Sequence, residues 1–199
     1  MGPRQYPGWM EIFAGEPVYL RPLEREEVLA SLDFFRAEPE VSANLTWVLP
    51  LNNVESQERW LREMRESDRT YVFAIIQAAG GKHAGNIGLH DIDPKDRDAE
   101  LGVFLFPEFR GIGLGQSAIR RLLLWGFQVR NLHRIRLRVR VYNQPARGLY
   151  RKLGFTREGV LREAYFLNGR FWDVEIWGML EQEWRGLYPE DRLPGTPAS

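Results

Sequence analysis

The stretch "FRGIGLGQSAIRRLLLWGF" (109–127) constrains the fold more than any other part of the chain. Gly111, Gly113 and Gly115 alternate with Ile112 and Leu114, then run straight into a segment whose apolar residues Ile119, Leu122, Leu123 and Phe127 share one helical stripe. A glycine turn that opens a helix gathers backbone N–H groups with no side chains in the way. The helix N-terminus adds roughly half a positive charge, so the turn is built to hold an anion, phosphate above all. "AELGVFLF" (99–106) comes before it, is apolar on both faces, and reads as a central strand.

The rest of the chain fits an α/β domain around that unit. "PVYLRPL" (17–23) reads as a strand, while "EREEVLASLDFFRA" (24–37) and "VESQERWLREMRES" (54–67) carry helical spacing. "TYVFAIIQ" (70–77) and "HAGNIGLHDID" (83–93) flank "AAGG" as a hairpin, and "RIRLRVRVY" (134–142) alternates strictly as a strand. "QPARGLYRKLGF" forms a short helix with Pro145 in its first turn and Gly154 at its stop. "LREAYFLNGRFWDVEIWGML" (161–180) is two strands about an Asn168-Gly169 turn. The predicted order β-α-α-β-β-β-α-β-α-β-β gives a mixed, largely antiparallel sheet in one domain over 17–185. Gly- and Pro-rich ends flank it, an extension over 1–16 and a loose tail over 186–199.

Composition removes several functions. The 27 basic and 27 acidic residues balance, so no net field points to nucleic acid or to an anionic membrane as partner. The chain has no cysteine, which excludes a disulfide framework, a thiol nucleophile and a Cys-ligated metal. Three scattered histidines do not make a metal site, so none is expected. No apolar run approaches the ~20 residues that span a bilayer, and no basic-then-apolar leader opens the chain. The expectation is a cytoplasmic protein.

The glycine turn allows three readings. A nucleoside-triphosphate loop needs Lys-Ser/Thr after its last glycine, and Gln116-Ser117 stands there instead. "GLGQSA" (113–118) satisfies a dinucleotide fingerprint formally, but "PEFRGI" separates it from its strand and no acid lies in "HRIRLRVRV". The third reading takes Arg110-x-x-Gly113-x-Gly115 as the pyrophosphate loop of an acyl-CoA binder.

At this point the sequence resembles the GNAT N-acetyltransferases. "AELGVFLFPEFRGIGLG" is similar to that family's fourth strand and coenzyme loop, and "NQPARGLYRKLGF" to its later Asn-then-helix signature. The last hairpin is similar to those of the ribosomal-protein N-terminal and spermidine acetyltransferases. The resemblance implies a mixed, mostly antiparallel seven-stranded sheet flanked by about four helices. It also implies acetyl-CoA as cosubstrate, no metal, direct transfer to a primary amine, and an association into homodimers. The acceptor is a protein N-terminus or a small amine; a non-catalytic acyl-CoA-binding sensor or interaction module is the alternative from another class, and a polyamine or aminoglycoside acetyltransferase the alternative within the enzyme class.

Residue by residue, the resemblance implies that the backbone of Val103, Phe104 and Leu105 pairs with the pantetheine arm. A bulge in that strand would aim one N–H at the thioester oxygen. The amides of Arg110, Gly111, Ile112, Gly113, Leu114 and Gly115, with Gln116, would hold the pyrophosphate. Tyr150 would be the acid beside the sulfur, or a packing residue. Asn143 is either an N-cap alone or an N-cap that also contacts the coenzyme. An alkylamine is nearly all ammonium at neutral pH, so a base is needed. Glu100 shares the parity of Phe104 and Phe106, where burial would raise its pKa, and is chosen over a purely salt-bridged role. His90 is the reserve.

The arginines 134, 136, 138 and 140 lie on one strand face, where Asp173 and Glu175 of the last strand are expected to pair with them. The family's acceptor cleft maps to Glu38, Glu40 and Trp47 between the first two helices, and to Tyr165, Asn168 and Trp172 of the hairpin.

Overall fold

The computed structural model describes residues 17–37 and 53–191. The first half contains β1 (Val18–Pro22), α1 (Arg25–Ala37), α2 (Val54–Glu66), β2 (Tyr71–Gln77), β3 (His83–Asp93) and β4 (Asp98–Leu105). The second half contains α3 (Leu114–Leu124), β5 (Arg134–Arg140), α4 (Gln144–Lys152), β6 (Thr156–Leu167), β7 (Arg170–Leu180) and α5 (Glu181–Leu187). The strands form a single seven-stranded sheet in the order β1-β2-β3-β4-β5-β7-β6. Only the β4–β5 pair is parallel.

Strand parity builds two layers of core. In β2, Phe73 and Ile75 point to one face and Val72, Ala74 and Ile76 to the other, and all five are buried. The first face packs against Ile119, Leu122 and Leu123 of α3, the stripe read from the sequence. The second packs against Val28 of α1 and Leu61 and Met64 of α2. Asn53 caps α2, its side chain accepting the Ser56 N–H at 2.8 Å.

The parallel pair is short. Asp98–Glu100 lie against Arg134–Arg136, and past those residues the two strands have no further register partners in each other. Each strand continues on its outer side, β4 against β3 and β5 against β7. The sheet therefore opens as a wedge between Leu101–Leu105 and Leu137–Arg140.

Three expectations change. A fifth helix, α5, follows the last strand, and the packed chain runs past 185: the Tyr188 hydroxyl donates to the Leu153 carbonyl at 3.0 Å and Arg120 pairs with Asp191 at 2.7 Å. Arg134, Arg136 and Arg138 find their partners elsewhere than on β7. Arg138 donates to Glu100 at 2.8 Å, Arg136 pairs with Asp98, and Arg134 bridges Asp98 and Glu158. Glu175 stands opposite Val139, on the other face, where Arg147 meets it with two bonds of 2.9 Å and Arg157 lies at 3.1 Å. The Asp173 carboxylate instead accepts the Glu163 N–H at 2.8 Å. Finally, the β3–β4 ladder keeps one register from Gly85↔Leu105 to His90↔Glu100 and shifts only beyond it. No bulge interrupts β4 at Val103–Leu105.

Candidate active site

The wedge is a cavity of about 540 Å³. Val103, Phe104 and Leu105 form one wall, and Asn143 and Tyr150 stand on the opposite side. Arg110, Gly111, Gly113, Gly115 and Gln116 close one end. The side chain of Ile112 is exposed, and that of Leu114 is in the core. Gly111 and Gly113 hold φ of 75° and 90°, a region that costs an L-residue about 1–2 kcal/mol. A Cβ at either would meet nothing within 4 Å, so backbone conformation and open approach, not crowding, call for glycine there.

The first helical bond of α3 runs from the Ser117 N–H to the Gly113 carbonyl at 3.1 Å, and Gly113 provides no side-chain cap. The N–H groups of Leu114, Gly115 and Gln116 therefore have no acceptor among the described residues. They are open donors at the end of the wedge. Arg110 differs from expectation: its own N–H is spent on the Pro107 carbonyl at 3.2 Å, and its Nε reaches the Leu105 carbonyl at 2.9 Å.

Tyr150 is fixed from both ends of α4. Asn143 caps the helix, accepting the Ala146 N–H at 3.2 Å, and also lines the wedge. At the C-terminus the Gly154 N–H bonds the Arg151 carbonyl and the Phe155 N–H bonds the Tyr150 carbonyl, with Gly154 at φ 88°. The Tyr150 ring packs edge-on to Phe155 at 5.8 Å. Burial pushes the phenol up to about 12, against a weaker opposing pull from Arg140. The proton stays on Tyr150 throughout the working pH range.

Glu100 is 3% exposed. Its carboxylate accepts from Arg138 at 2.8 Å, with Arg136 at 3.8 Å, and it lines neither the wedge nor the neighbouring cavity. That environment matches a structural ion pair better than a base aimed at a substrate. His90, the reserve, sits opposite Glu100 in register; burial pushes its imidazole down to about 4, with Asp91 opposing, so it is a poor proton acceptor at neutral pH.

A second cavity, about 380 Å³, lies between the sheet and the α1–α2 pair. Gly88 and Gly102 are register partners, so its floor has no side chain between His90 and Asn86. Phe35 and Trp60 form aromatic walls. Val103 and Phe104 line both cavities, and there the two spaces adjoin. Sequence reasoning missed Asn86, Trp60 and this glycine pair. The signal was present in "NIGLH" and "ELGVF", two strands with glycine at the same parity.

The hairpin residues stand elsewhere. Tyr165 carries the Arg140 guanidinium 4.3 Å over its ring, Trp172 packs on Tyr142 at 4.6 Å, and Asn168 turns the hairpin at φ 52°. None of the three lines either cavity. Glu38, Glu40 and Trp47 lie outside the described residues.

Known proteins share this arrangement. The family model described as "Acetyltransferase (GNAT) domain" matches residues 18–156. The chain is 33% identical over 106 residues to the Bacillus subtilis (strain 168) protein named "Putative ribosomal N-acetyltransferase YdaF", spanning 53% of this chain and 58% of that one. It is 32% identical over 168 residues to the spermidine N(1)-acetyltransferase of Escherichia coli (strain K12), covering 77% of this chain and 81% of the relative. The crystal structure of spermidine N-acetyltransferase from Vibrio cholerae in complex with CoA and spermine superposes with a TM-score of 0.78 at 28% identity, over 84% of this chain and 98% of that one. With the motifs, the open wedge and a family match over more than half its length, the chain belongs to the GNAT acetyltransferase family.

Proposed function

We propose that the chain transfers an acetyl group from acetyl-CoA to a primary amine, directly and without an acyl-enzyme. The adjoining of the two cavities at Val103–Phe104 carries this reading. A coenzyme along the wedge and an amine in the second cavity would meet at one point of β4.

The residues fit the coenzyme. The open amides of Leu114, Gly115 and Gln116 suit a diphosphate, and the unpaired inner edge of β4 suits the amide groups of a pantetheine arm. Acetyl-CoA supplies an acyl group activated as a thioester. Tyr150 holds its proton at the side of the wedge opposite β4 and donates a hydrogen bond to the sulfur as charge develops there. The ammonium gives its first proton to solvent. As the free amine attacks, the C–N bond forms, the C–S bond breaks, and the proton the nitrogen then releases passes through solvent to the departing thiolate. Glu100 orients Arg138 and Arg136.

The proposed compartment is the cytoplasm. Self-association is part of the proposal, supported by the long edge strand β6, exposed along most of its length. A structure titled "Dodecameric structure of spermidine N-acetyltransferase from Vibrio cholerae in intermediate state" matches with a TM-score of 0.75 at 27% identity.

The test is thiol release from acetyl-CoA with a panel of amines. Release that depends on amine, with one amide formed per thiol, is expected. Tight coenzyme binding with no amine-dependent release would contradict the reading and favour a sensor.

A further inference from the structure

Resting on the acetyltransferase reading, we propose that Arg140 takes part in the transfer step: its buried guanidinium, across the wedge from Phe104, stabilises the thiolate that departs as the acetyl group moves.

Arg140 is set apart from the other arginines of its strand. Arg134, Arg136 and Arg138 reach solvent and pair with the carboxylates of Asp98, Glu158 and Glu100. Arg140 is 5% exposed. It ends β5, and its carbonyl accepts the Asn143 N–H at 2.9 Å, which ties it to the cap of the helix that carries Tyr150. Val174 stands opposite it on β7, and its guanidinium lies 4.3 Å over the Tyr165 ring.

Its place in the strand brings it to the reacting centre. Glu100↔Arg136 is the last paired position of the two parallel strands, and Phe104 and Arg140 each lie four residues further on. Arg140 therefore stands across the wedge from the point where the two cavities adjoin. Tyr150 lines the same space, and the charge of Arg140 reaches it, opposing the rise that burial imposes on the phenol.

The transfer creates a negative charge there. As the amine nitrogen bonds to the carbonyl carbon, the C–S bond breaks and its electron pair stays on sulfur. The proton that the nitrogen releases reaches this thiolate later, through solvent, so the wedge bears the charge first. Tyr150 gives it one hydrogen bond. A fixed cation in a water-poor wall adds to that at longer range, with no reorganisation at the moment of reaction. The surroundings of Arg140 favour the arrival of an anion. Burial outweighs the help of the Tyr165 and Tyr142 phenols and pushes the guanidinium down from its ordinary value, yet an arginine keeps its proton. The other cations lining the wedge are occupied or displaced: Arg138 donates to Glu100, Arg110 to the Leu105 carbonyl, and Lys152 is exposed at the end of α4.

The thiol of bound CoA, titrated by the ultraviolet absorbance of its thiolate, reads this without amine or turnover. In the saturated complex of the full chain it should titrate about one pH unit below the ordinary value near 8.5. In Arg140→Met it should titrate at least about one pH unit above the value in the unaltered protein, and Arg140→Lys should restore most of the difference. With an accepted amine, Arg140→Met should lower kcat about tenfold while KM for acetyl-CoA stays within about threefold. A thiol value in the unaltered protein at or above the ordinary one would overturn the inference, whether or not a variant folds. A value that Arg140→Met leaves unchanged would do the same. Either result leaves the acetyltransferase reading standing. Failure to bind CoA, or silence with every amine, would overturn both.

Discussion

Tyr150→Phe is expected to lower kcat by about 10²-fold while KM for acetyl-CoA stays within about threefold. The substitution removes one oxygen and keeps the ring that packs on Phe155. A phenol pushed up to about 12 is a weak acid beside a thiol of ordinary pKa near 8.5. Full proton transfer to the departing thiolate would thus be uphill by about 5 kcal/mol. The hydroxyl acts by donating a hydrogen bond to sulfur as charge builds, an interaction that exists only near the transition state and therefore appears in kcat. The same high value predicts no loss of rate from Tyr150 ionisation below about pH 10. An unchanged kcat in the phenylalanine variant would reduce Tyr150 to a packing residue.

The largest stability effect belongs to Glu175. Its carboxylate is 2% exposed, accepts from two nitrogens of Arg147 and from the Trp177 indole at 3.0 Å, and is ion-paired with Arg157 at 3.1 Å. Burial alone would raise this carboxyl. The Arg147 and Trp177 hydrogen bonds outweigh burial and hold it below the usual range. Glu175→Ala leaves Arg147 half-buried and unpaired, and should cost about 3 kcal/mol at pH 7, read from urea denaturation. Because the folded state depresses this carboxyl, its contribution is complete above the unfolded value near 4.3 and fades as pH falls through the folded value. The gap between the two proteins should therefore narrow below about pH 4. A gap under about 1 kcal/mol at pH 7 would show that the cluster contributes little.

Much of the fold was legible because periodicity reports burial. The strict alternation of 134–140, the stripe of α3 and the glycine turn each appear where they were read. What failed depended on parity between distant strands. Whether Glu175 or Ile176 faces the arginines is decided by the β5–β7 register, which pairs Arg138 with Ile176. A one-residue change in register reverses every side chain, and nothing local fixes it. Residues 181–185 are assigned no element from sequence and 186–199 a tail, because "EQEWRGL" has few apolar positions; the buried Trp184 anchors a helix there.

The site divides the same way. The glycine turn and Tyr150 are local features, tied to capping and glycine chemistry, and both line the wedge. Strand parity places Glu100 on the face of Gly102 and Phe104, and the register agrees. Parity could not reveal that β5 lays Arg138 and Arg136 against the same carboxylate. The second cavity depends on α1 and α2 crossing a floor of two opposed glycines, a tertiary arrangement with only a faint trace in sequence.

Calorimetric titration of the folded chain with CoA probes the diphosphate cradle at the start of α3 most directly. Saturable one-to-one binding with a Kd on the order of micromolar is expected, weakened at least tenfold in Gly113→Ala, whose added methyl forces the turn out of its φ of 90°. Absence of any heat of binding in the unaltered, folded protein, or affinity indifferent to Gly113→Ala, would contradict it.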